Sequence, residues 1–185
     1  MAHLVNELLD VSQMQVGKSI LKKEPANLKT LAEDILDEFS KDLVKKHLKT
    51  SLTFPPKEED NIVRIDKERI KESLVNLIDN AIRYNKEGGE IRIKGERTTH
   101  PIERDKEIYR LTIEDTGIGI TEEELSKLFT QYFIRGEEAE KIYTTGRGIG
   151  LMITKNIVLA HQGRIHAESE GRGKGARFIV ELPLS

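Results

Sequence analysis

The chain has 185 residues, of which 37% are hydrophobic and 34% are charged, a size and balance typical of one soluble domain. Its formal net charge of −2 gives no general attraction to nucleic acids or membrane surfaces, and the absence of cysteine excludes disulfide bonds. No apolar run approaches the roughly 20 residues of a membrane-spanning helix, and no signal peptide is visible at Met1. We therefore expect a cytoplasmic chain, with any membrane anchor of the parent protein lying elsewhere.

The N-terminal part predicts one isolated helix followed by alternating strands and helices. Residues 3–16 are amphipathic and end at Gly17, which separates residues 1–17 from a domain over residues 18–185. The pattern then predicts, in chain order, a strand over 18–24 that Pro25 ends, a helix over 28–47 capped by Asn27, strands over 49–54 and 62–65, and a helix over 67–84 capped by Asp66.

The C-terminal part predicts four more strands and two helices around a long polar segment. In chain order these are a strand over 90–95, a loop over 97–106, a strand over 107–114, a short helix with a capping box at Thr121, the segment 130–146, a helix over 148–161, and strands over 164–169 and 176–182. A loop as long as 130–146 is uncommon in a compact domain unless it is mobile or functional.

In three predicted strands, apolar residues recur at every second position. The apolar positions are Ile91 and Ile93, then Tyr109, Leu111 and Ile113, then Phe178, Val180 and Leu182. This alternation predicts a sheet that is buried on one face and exposed on the other. The fold class is therefore predicted to be α+β, a two-layer α/β sandwich whose mixed, mostly antiparallel sheet carries helices on one face.

The helix over 67–84 carries an unusual polar side. At about 100° per residue, Asn76, Asn80 and Arg83 lie together, away from the apolar side of the helix. Asn is a poorer helix former than Glu or Lys, so two Asn one turn apart need an explanation. They either make local hydrogen bonds or provide an amide oxygen to Mg²⁺ beside nucleotide phosphates, with Arg83 contacting phosphate. The glycine-rich segments below favour the second explanation.

The first glycine-rich segment, Asp115–Ile120 (D-T-G-I-G-I), follows a strand. Asp115 continues the buried alternation, and a buried carboxylate is costly unless it accepts hydrogen bonds. It either caps the turn at Thr116 and Gly117 or accepts a hydrogen bond from a ligand, such as the exocyclic amine of adenine. Gly117 and Gly119 permit a tight turn beneath such a ring.

The second glycine-rich segment, Gly146–Leu151 (G-R-G-I-G-L), leads directly into a helix. The N-terminal amides of a helix suit phosphate binding, although glycines before a helix also occur as simple punctuation. The spacing is not the G-x-G-x-x-G of dinucleotide-binding folds, and Gly17-Lys18-Ser19 lacks the first glycine of a P-loop.

Taken together, these segments resemble the ATP-binding catalytic domain of bacterial-type sensor histidine kinases, in the superfamily of gyrase, heat-shock protein 90 and MutL. The segment 76–84 is similar to the N box, 115–120 and 146–151 to the two glycine boxes, 128–135 to the F box, and 171–178 to the closing glycine-rich turn. The resemblance covers about residues 24–184. Residues 4–17 also resemble the end of the dimerisation and phosphotransfer hairpin, which favours a histidine kinase over the related anti-sigma serine kinases.

The resemblance implies ATP and Mg²⁺ as cofactors, with Asn80 as the metal ligand and residues 130–146 as a lid over ATP. It implies that Asn76 supports the phosphates, that Arg83 and Tyr84 line the phosphate and ribose side, and that Asp115 reads adenine. The nucleotide-binding set it implies is Asn76, Asn80, Arg83, Tyr84, Asp115, Gly117, Gly119, Ile120, Thr145, Gly146, Arg147, Gly148, Ile149, Gly150 and Leu151. Two positions depart from the family pattern: the F box has one extra residue before Arg135, a possible phosphate contact, and Arg147 stands where a small residue is usual.

The resemblance also predicts the reaction. ATPase branches of the superfamily carry Glu where this chain has Asn76, a poor general base, so ATP is expected to be held for transfer rather than hydrolysed. None of the five histidines stands in an acceptor motif, so no catalytic residue is expected in this chain. The expected partners are a dimerisation hairpin with the acceptor histidine and a response regulator, with no nucleic acid and no direct membrane contact. A non-catalytic docking module and an anti-sigma-type serine kinase remain as alternatives, while Asn76 argues against a gyrase-type clamp.

Overall fold

The computed structural model describes residues 21–100, 102–103, 105–129 and 150–184. Their strands are β1 (Glu24–Asn27), β2 (Lys49–Thr53), β3 (Ile62–Ile65), β4 (Glu90–Thr99), β5 (Glu107–Asp115), β6 (Arg164–Glu168) and β7 (Ala176–Pro183). Their helices are α1 (Leu28–Glu38), α2 (Ser40–Lys45), α3 (Lys67–Arg83), α4 (Glu122–Lys127) and α5 (Gly150–Ala160), with a 3₁₀ helix over Glu58–Asn61. The predicted helix over 3–16 and the predicted lid lie outside the described residues. None of the helices within these ranges has the length and apolar character needed to cross a bilayer.

The main sheet has five strands in the order β2-β4-β5-β7-β6. Only β2 and β4 run parallel, and every other pair in this sheet is antiparallel. Helices α1, α3 and α5 pack against one face of the sheet and form the core with it. The predicted two-layer sandwich with a mixed, mostly antiparallel sheet is therefore confirmed.

The predicted alternation is confirmed at the core face and incomplete at the outer face. The eight apolar residues that carried the prediction are all at most 5% exposed. On the outer face of β7, however, Ile179 and Glu181 are also buried. Arg110 on the neighbouring β5 donates to Glu181 Oε1 from Nε and Nη2 at 3.1 and 2.9 Å. A long cation from an adjacent strand can cover a position that the alternation alone would expose.

The predicted strand over 18–24 is wrong where the structure describes it. Residues 21–23 have no regular structure, and β1 begins at Glu24 and includes Pro25. In the small antiparallel sheet of β1 and β3, Pro25 lies opposite Arg64. Both strands of a two-stranded sheet are edges, so a residue without an N–H is tolerated there.

The predicted helix over 28–47 is in fact two helices. Phe39, with φ −90° and ψ 8°, separates α1 from α2, and its N–H still bonds to Ile35 O. After this break Leu43 is buried while Val44, which a single helix would place on the apolar side, is 74% exposed. The predicted loop over 97–106 is also shorter, since β4 continues to Thr99, opposite Glu107 of β5.

The three predicted helix caps are confirmed by their hydrogen bonds. They could be predicted because each depends on contacts within a few residues. Asn27 Oδ1 accepts from Lys29 N at 2.9 Å and from Thr30 N at 3.2 Å. Asp66 Oδ1 accepts from Arg69 N at 3.3 Å, and Thr121 forms a reciprocal capping box with Glu124. Local side-chain acceptors of this kind satisfy the first N–H groups of a helix.

His161 joins the end of α5 to the start of α3. It is 1% exposed, its Nδ1 lies 2.8 Å from Ile157 O, and Asp66 N donates to its Nε2 at 2.9 Å. The ring must therefore be neutral with its proton on Nδ1. Burial lowers the pKa of His161, in agreement with this state.

Replacing His161 by Phe should lower the free energy of unfolding of the domain. It should also reduce the loss of that free energy between pH 7.5 and pH 5. At pH 7.5 we expect a loss of about 1–3 kcal/mol, because the buried N–H of Asp66 loses its acceptor. Because the folded-state pKa of His161 is lowered, its contribution is present above its unfolded value near 6.5 and is lost as pH falls below that value. Urea unfolding of the wild type and His161→Phe between pH 7.5 and 5 measures both effects, with exposed-loop His47→Phe as the control. An unchanged free energy of unfolding at pH 7.5 would contradict this role.

Candidate nucleotide-binding site

Helix α3 presents its asparagines beside the packed face rather than within it. Its apolar residues are almost fully buried: Ile70, Leu74, Leu77, Ile78, Ala81 and Ile82. Asn76, Asn80 and Arg83 are half-buried on the adjoining side, as the helical spacing predicted. The polar side of α3 is thus available for contacts other than packing.

Asn76 faces the first residue of α5, at the end of the second glycine box. Its Nδ2 lies 3.4 Å from Gly150 O, and a Cβ atom added to Gly150 would come 3.2 Å from Asn76 Oδ1. The N box and the second glycine box therefore meet, as the sequence predicted. Gly150 and Leu151 are the described members of that box. Thr145, Gly146, Arg147, Gly148 and Ile149 lie outside the described residues, as does Arg135 of the F box.

Asn80 and Arg83 lie on the same side of α3 but differ in the contacts of their side chains. Among the residues that the structure describes, the side-chain amide of Asn80 has no hydrogen-bond partner. Arg83 forms an i,i+4 ion pair with Asp79, with Nε 2.8 Å from Oδ2. Both members of this pair are about a third exposed, so it contributes little energy and can be exchanged for another anion.

Asp115 ends β5 as a buried carboxylate, and its turn-capping role is confirmed. It is 7% exposed, and its Oδ1 accepts from Gly117 N at 2.8 Å. Burial raises the pKa of Asp115 to about 6, although hydrogen bonds from the N–H groups of Gly117 and Ala176 act in the opposite direction. A carboxylate offers about four lone-pair sites, so capping one turn does not exhaust its capacity as an acceptor. A perturbed carboxylate beside a glycine turn is a candidate for ligand recognition.

Gly117 and Gly119 are required for different physical reasons. A Cβ atom at Gly117 would come 2.2 Å from Tyr84 O, at the C-terminal end of α3. Ile118 N donates to this same carbonyl at 3.0 Å, so the first glycine box docks on the N-box helix through Tyr84. Gly119 adopts φ +71°, in the left-handed region that favours glycine, and a Cβ there would come 2.0 Å from Gly171 O. The sequence predicted both glycines but not the packing that Gly117 requires.

Lys46 is a site-supporting residue that sequence reasoning missed. Its Nζ donates to three carbonyls at the C-terminal end of α3, those of Ile82, Arg83 and Asn85, at 2.9, 2.7 and 3.2 Å. A cation suits the negative end of a helix and satisfies carbonyls that have no partner within it. No local pattern could reveal this cap, because Lys46 precedes these carbonyls by 36 residues or more.

Asn85 and Thr116 were also missed, and they tie three segments of the site together. Asn85 Nδ2 donates to Glu90 O at 3.0 Å, and Thr116 Oγ1 donates to Asn85 Oδ1 at 3.2 Å. Thr116 Oγ1 accepts in turn from Glu90 N at 2.8 Å. This network joins the end of α3, the start of β4 and the end of β5. An Asn directly after a predicted helix was the available signal for it.

The α/β sandwich and the meeting of the N box with both glycine boxes are typical of a class of nucleotide-binding domain. Comparison with known proteins identifies the family within this class. Residues 65–185 match the family described as "Histidine kinase-, DNA gyrase B-, and HSP90-like ATPase". The chain belongs to this family, and its relatives are sensor histidine kinases of two-component signal transduction. The predicted recognition is confirmed at this level, as an ATP-binding domain of the histidine-kinase kind.

Individual proteins agree with this assignment. The signal transduction histidine-protein kinase BaeS of Escherichia coli is 34% identical over 182 residues, covering 98% of this chain and 36% of BaeS. The structure of histidine kinase AdeS of Acinetobacter baumannii superposes with a TM-score of 0.76 at 27% identity, covering 100% of this chain and 78% of that one. Histidine kinase ThkA, solved in complex with response regulator protein TrrA, gives a TM-score of 0.69 at 26% identity, covering 100% of this chain and 49% of that one. The chain spans 13–36% of the length of the curated relatives compared with it.

Proposed function

We propose that this chain is the part of a sensor histidine kinase that holds ATP and donates its γ-phosphoryl group to a histidine on a dimerisation hairpin. One observation carries the proposal: a single helix, α3, docks both glycine boxes. Tyr84 O accepts from Ile118 N of the first box, and the amide of Asn76 contacts Gly150 of the second. This geometry leaves Asn80 between the two docking points, where a nucleotide held by both boxes would carry its phosphates.

Mg²⁺ fits this donor set through an amide oxygen and the nucleotide itself. Among the described residues there is no group of three or more His, Cys, Asp or Glu side chains able to hold a metal. Mg²⁺ usually keeps several waters and binds through one or two protein oxygens plus substrate phosphates, so a full protein cage is not required. We assign Asn80 as that ligand and Asp115 as the acceptor for the exocyclic amine of adenine. Arg83 would exchange Asp79 for phosphate.

The site is suited to holding a phosphoryl donor rather than to hydrolysing it. At position 76 a neutral amide contacts Gly150 O, and an amide is a poor general base for water. The carboxylate of Asp79, one turn further along α3, is paired with Arg83. Transfer then needs an external nucleophile brought close and in line, so that positioning supplies much of the rate.

The proposed partners are a dimerisation hairpin and a response regulator. Residues 1–17, which we predict to be the end of that hairpin, lie outside the described residues. The complex of ThkA with TrrA pairs a histidine kinase of the same fold with a response regulator, which supports the second partner. The proposed location is the cytoplasm, where such regulators act.

The chain incubated with γ-labelled ATP and Mg²⁺ should label an added, matching hairpin domain but not itself. Transfer should be slow, because effective concentration is lost when the two domains are not tethered. The product should be labile in acid, as expected of a phosphoramidate. The matched control is the same hairpin with its acceptor histidine replaced by Gln, which should stay unlabelled.

Two other outcomes would contradict the proposal in different ways. Self-labelling or steady hydrolysis of ATP by the chain alone would indicate a serine kinase or an ATP-driven clamp. ATP binding with no transfer to any hairpin would indicate a docking module.

A further inference from the structure

The turn between β6 and β7 binds the backbone of the first glycine box from Gly117 to Ile120. Gly175 N donates to Gly117 O at 3.1 Å and Gly173 N donates to Ile118 O at 2.7 Å. Arg172 Nη1 donates to Gly119 O at 3.0 Å. Three successive carbonyls of the box are therefore bound by one turn, which we call the clamp turn (residues 169–175). Neither the docking on α3 nor the turn cap at Asp115 accounts for these bonds.

The glycines of the clamp turn permit this close approach. Gly171, Gly173 and Gly175 all adopt positive φ, at +109°, +75° and +72°. A Cβ atom at Gly175 would come 2.0 Å from Asp115 O, so the clamp turn touches the backbone of the carboxylate-bearing residue itself. The position of the clamp turn therefore fixes where the box lies relative to Asp115.

The hydroxyl of Ser169 joins the two ends of the clamp turn to the box. It donates to Gly175 O at 2.6 Å and accepts from Ile120 N at 3.0 Å and from Gly171 N at 3.3 Å. A hydroxyl has one donor and two acceptor positions, so all of them are used. Ile120 is the last residue of the box. Its bond to Ser169 therefore adds a fourth consecutive residue to the three whose carbonyls the clamp turn binds.

Arg172 connects the same box to the helix that follows it. Besides Gly119 O, its guanidinium contacts the Glu124 carboxylate, and Glu124 also forms the capping box of α4 with Thr121. The Arg172 side chain is 32% exposed, so water can replace part of what it contacts. Replacing Arg172 is thus a second and milder way to weaken the binding of the clamp turn to the box.

We propose that Ser169 is a positioning residue for recognition of the base. By holding Ile120 N and both ends of the clamp turn, it keeps Gly117–Ile120 in register with the Asp115 carboxylate, so that an adenine amine can meet its acceptor while the ring rests on the box. The inference rests on the proposed function and deepens it. It assigns base discrimination to a residue outside the four sequence boxes.

The affinities of ATP and GTP, measured by calorimetric competition in Mg²⁺, test this role. The two nucleotides share ribose and triphosphate, so their affinity ratio reports on the base alone. The wild type should prefer ATP, and Ser169→Ala should narrow the preference by about 5–30-fold, the scale of one or two lost hydrogen bonds. Ser169→Thr, which keeps the hydroxyl, should restore most of it. Ser126→Ala is the matched control, because this exposed hydroxyl donates only to Glu123 O within α4.

Each outcome of these affinity measurements either supports or overturns the inference. If Ser169→Ala weakens ATP and GTP equally, or leaves the ratio unchanged, the residue is merely structural and the inference is overturned. If Ser169→Ala does not fold, Arg172→Gln takes its place, with an expected narrowing of the ATP preference of about two- to fivefold for the lost hydrogen bond to Gly119 O. An unchanged ratio again overturns the inference. A wild type that binds neither nucleotide would instead overturn the proposed function, and a wild type that binds both equally would remove the base-reading role of Asp115. In either case the inference would fall with it.

Discussion

Replacing Asp115 by Asn should weaken ATP binding and at the same time stabilise the fold. Binding should lose about 1.5–3 kcal/mol, because the amine of adenine loses a charged acceptor. The free energy of unfolding at pH 8 should rise by about 1–3 kcal/mol, because a buried charge whose desolvation raises its pKa to about 6 is removed. Asn keeps an oxygen for the bond from Gly117 N, so the turn cap can persist. A residue that costs stability while it serves binding is typical of a functional site.

The pH dependence of both effects follows from the raised pKa of Asp115. Its folded-state pKa of about 6 lies above the ordinary value of 3.8, so its contribution to stability is fully present below 3.8 and is lost as pH rises through 6. The stability advantage of Asp115→Asn should thus grow between pH 4 and pH 7. Affinity of the wild type for ATP should fall as pH falls through about 6, because the protonated carboxyl is a poorer acceptor.

Calorimetry with ATP and GTP, together with urea unfolding at several pH values, measures these effects. Asp34→Asn, which removes an exposed carboxylate on α1, is the matched control and should change neither quantity much. Equal affinities of the wild type for ATP and GTP would remove the base-reading role of Asp115. An unchanged free energy of unfolding would mean that its burial carries little cost.

Replacing Asn80 by Ala should remove most of the Mg²⁺-dependence of ATP binding. Loss of residues around a bound metal lowers metal affinity by about 10–100-fold, and a direct ligand should cost at least as much. The fold should remain, because Asn80 lies off the packed face, lacks a side-chain partner among the described residues, and is a poorer helix former than Ala.

The experiment compares ATP affinity with Mg²⁺ and with a chelator. The wild type should show a large difference between the two conditions, Asn80→Ala a small one, and Asn80→Asp, which keeps an oxygen ligand, should retain a difference. Melting temperatures of all three proteins are recorded in parallel. If Asn80→Ala unfolds, the residue is structural and its assignment as metal ligand fails.

The parts of the fold that follow from short-range physics could be predicted from the sequence. Period-2 alternation located the core face of β4, β5 and β7, and the caps at Asn27 and Asp66 were found because their partners are a few residues away. The helical spacing of Asn76 and Asn80 placed them on the correct side of α3 for the same reason.

The parts that were missed depend on contacts between distant residues. The break at Phe39 and the burial of Glu181 follow from tertiary packing and from Arg110 on the next strand, which no local pattern contains. The support of the site by Lys46 and Ser169 joins residues 36 and 49 positions apart. The sequence boxes thus identified segments that meet in the structure, whereas the residues that hold these segments in place became visible only in three dimensions.

The contacts of the Lys46 ammonium group limit where a shortened fragment of this protein can begin. The family match begins at residue 65, and a fragment cut there would omit Lys46 together with strands β1 and β2 and helices α1 and α2. Such a fragment would contain every described residue assigned to the nucleotide, yet three carbonyls at the end of α3 would lose their common donor. The boundary of the family match is therefore not the boundary of the folding unit, and an expression fragment should begin upstream of β1.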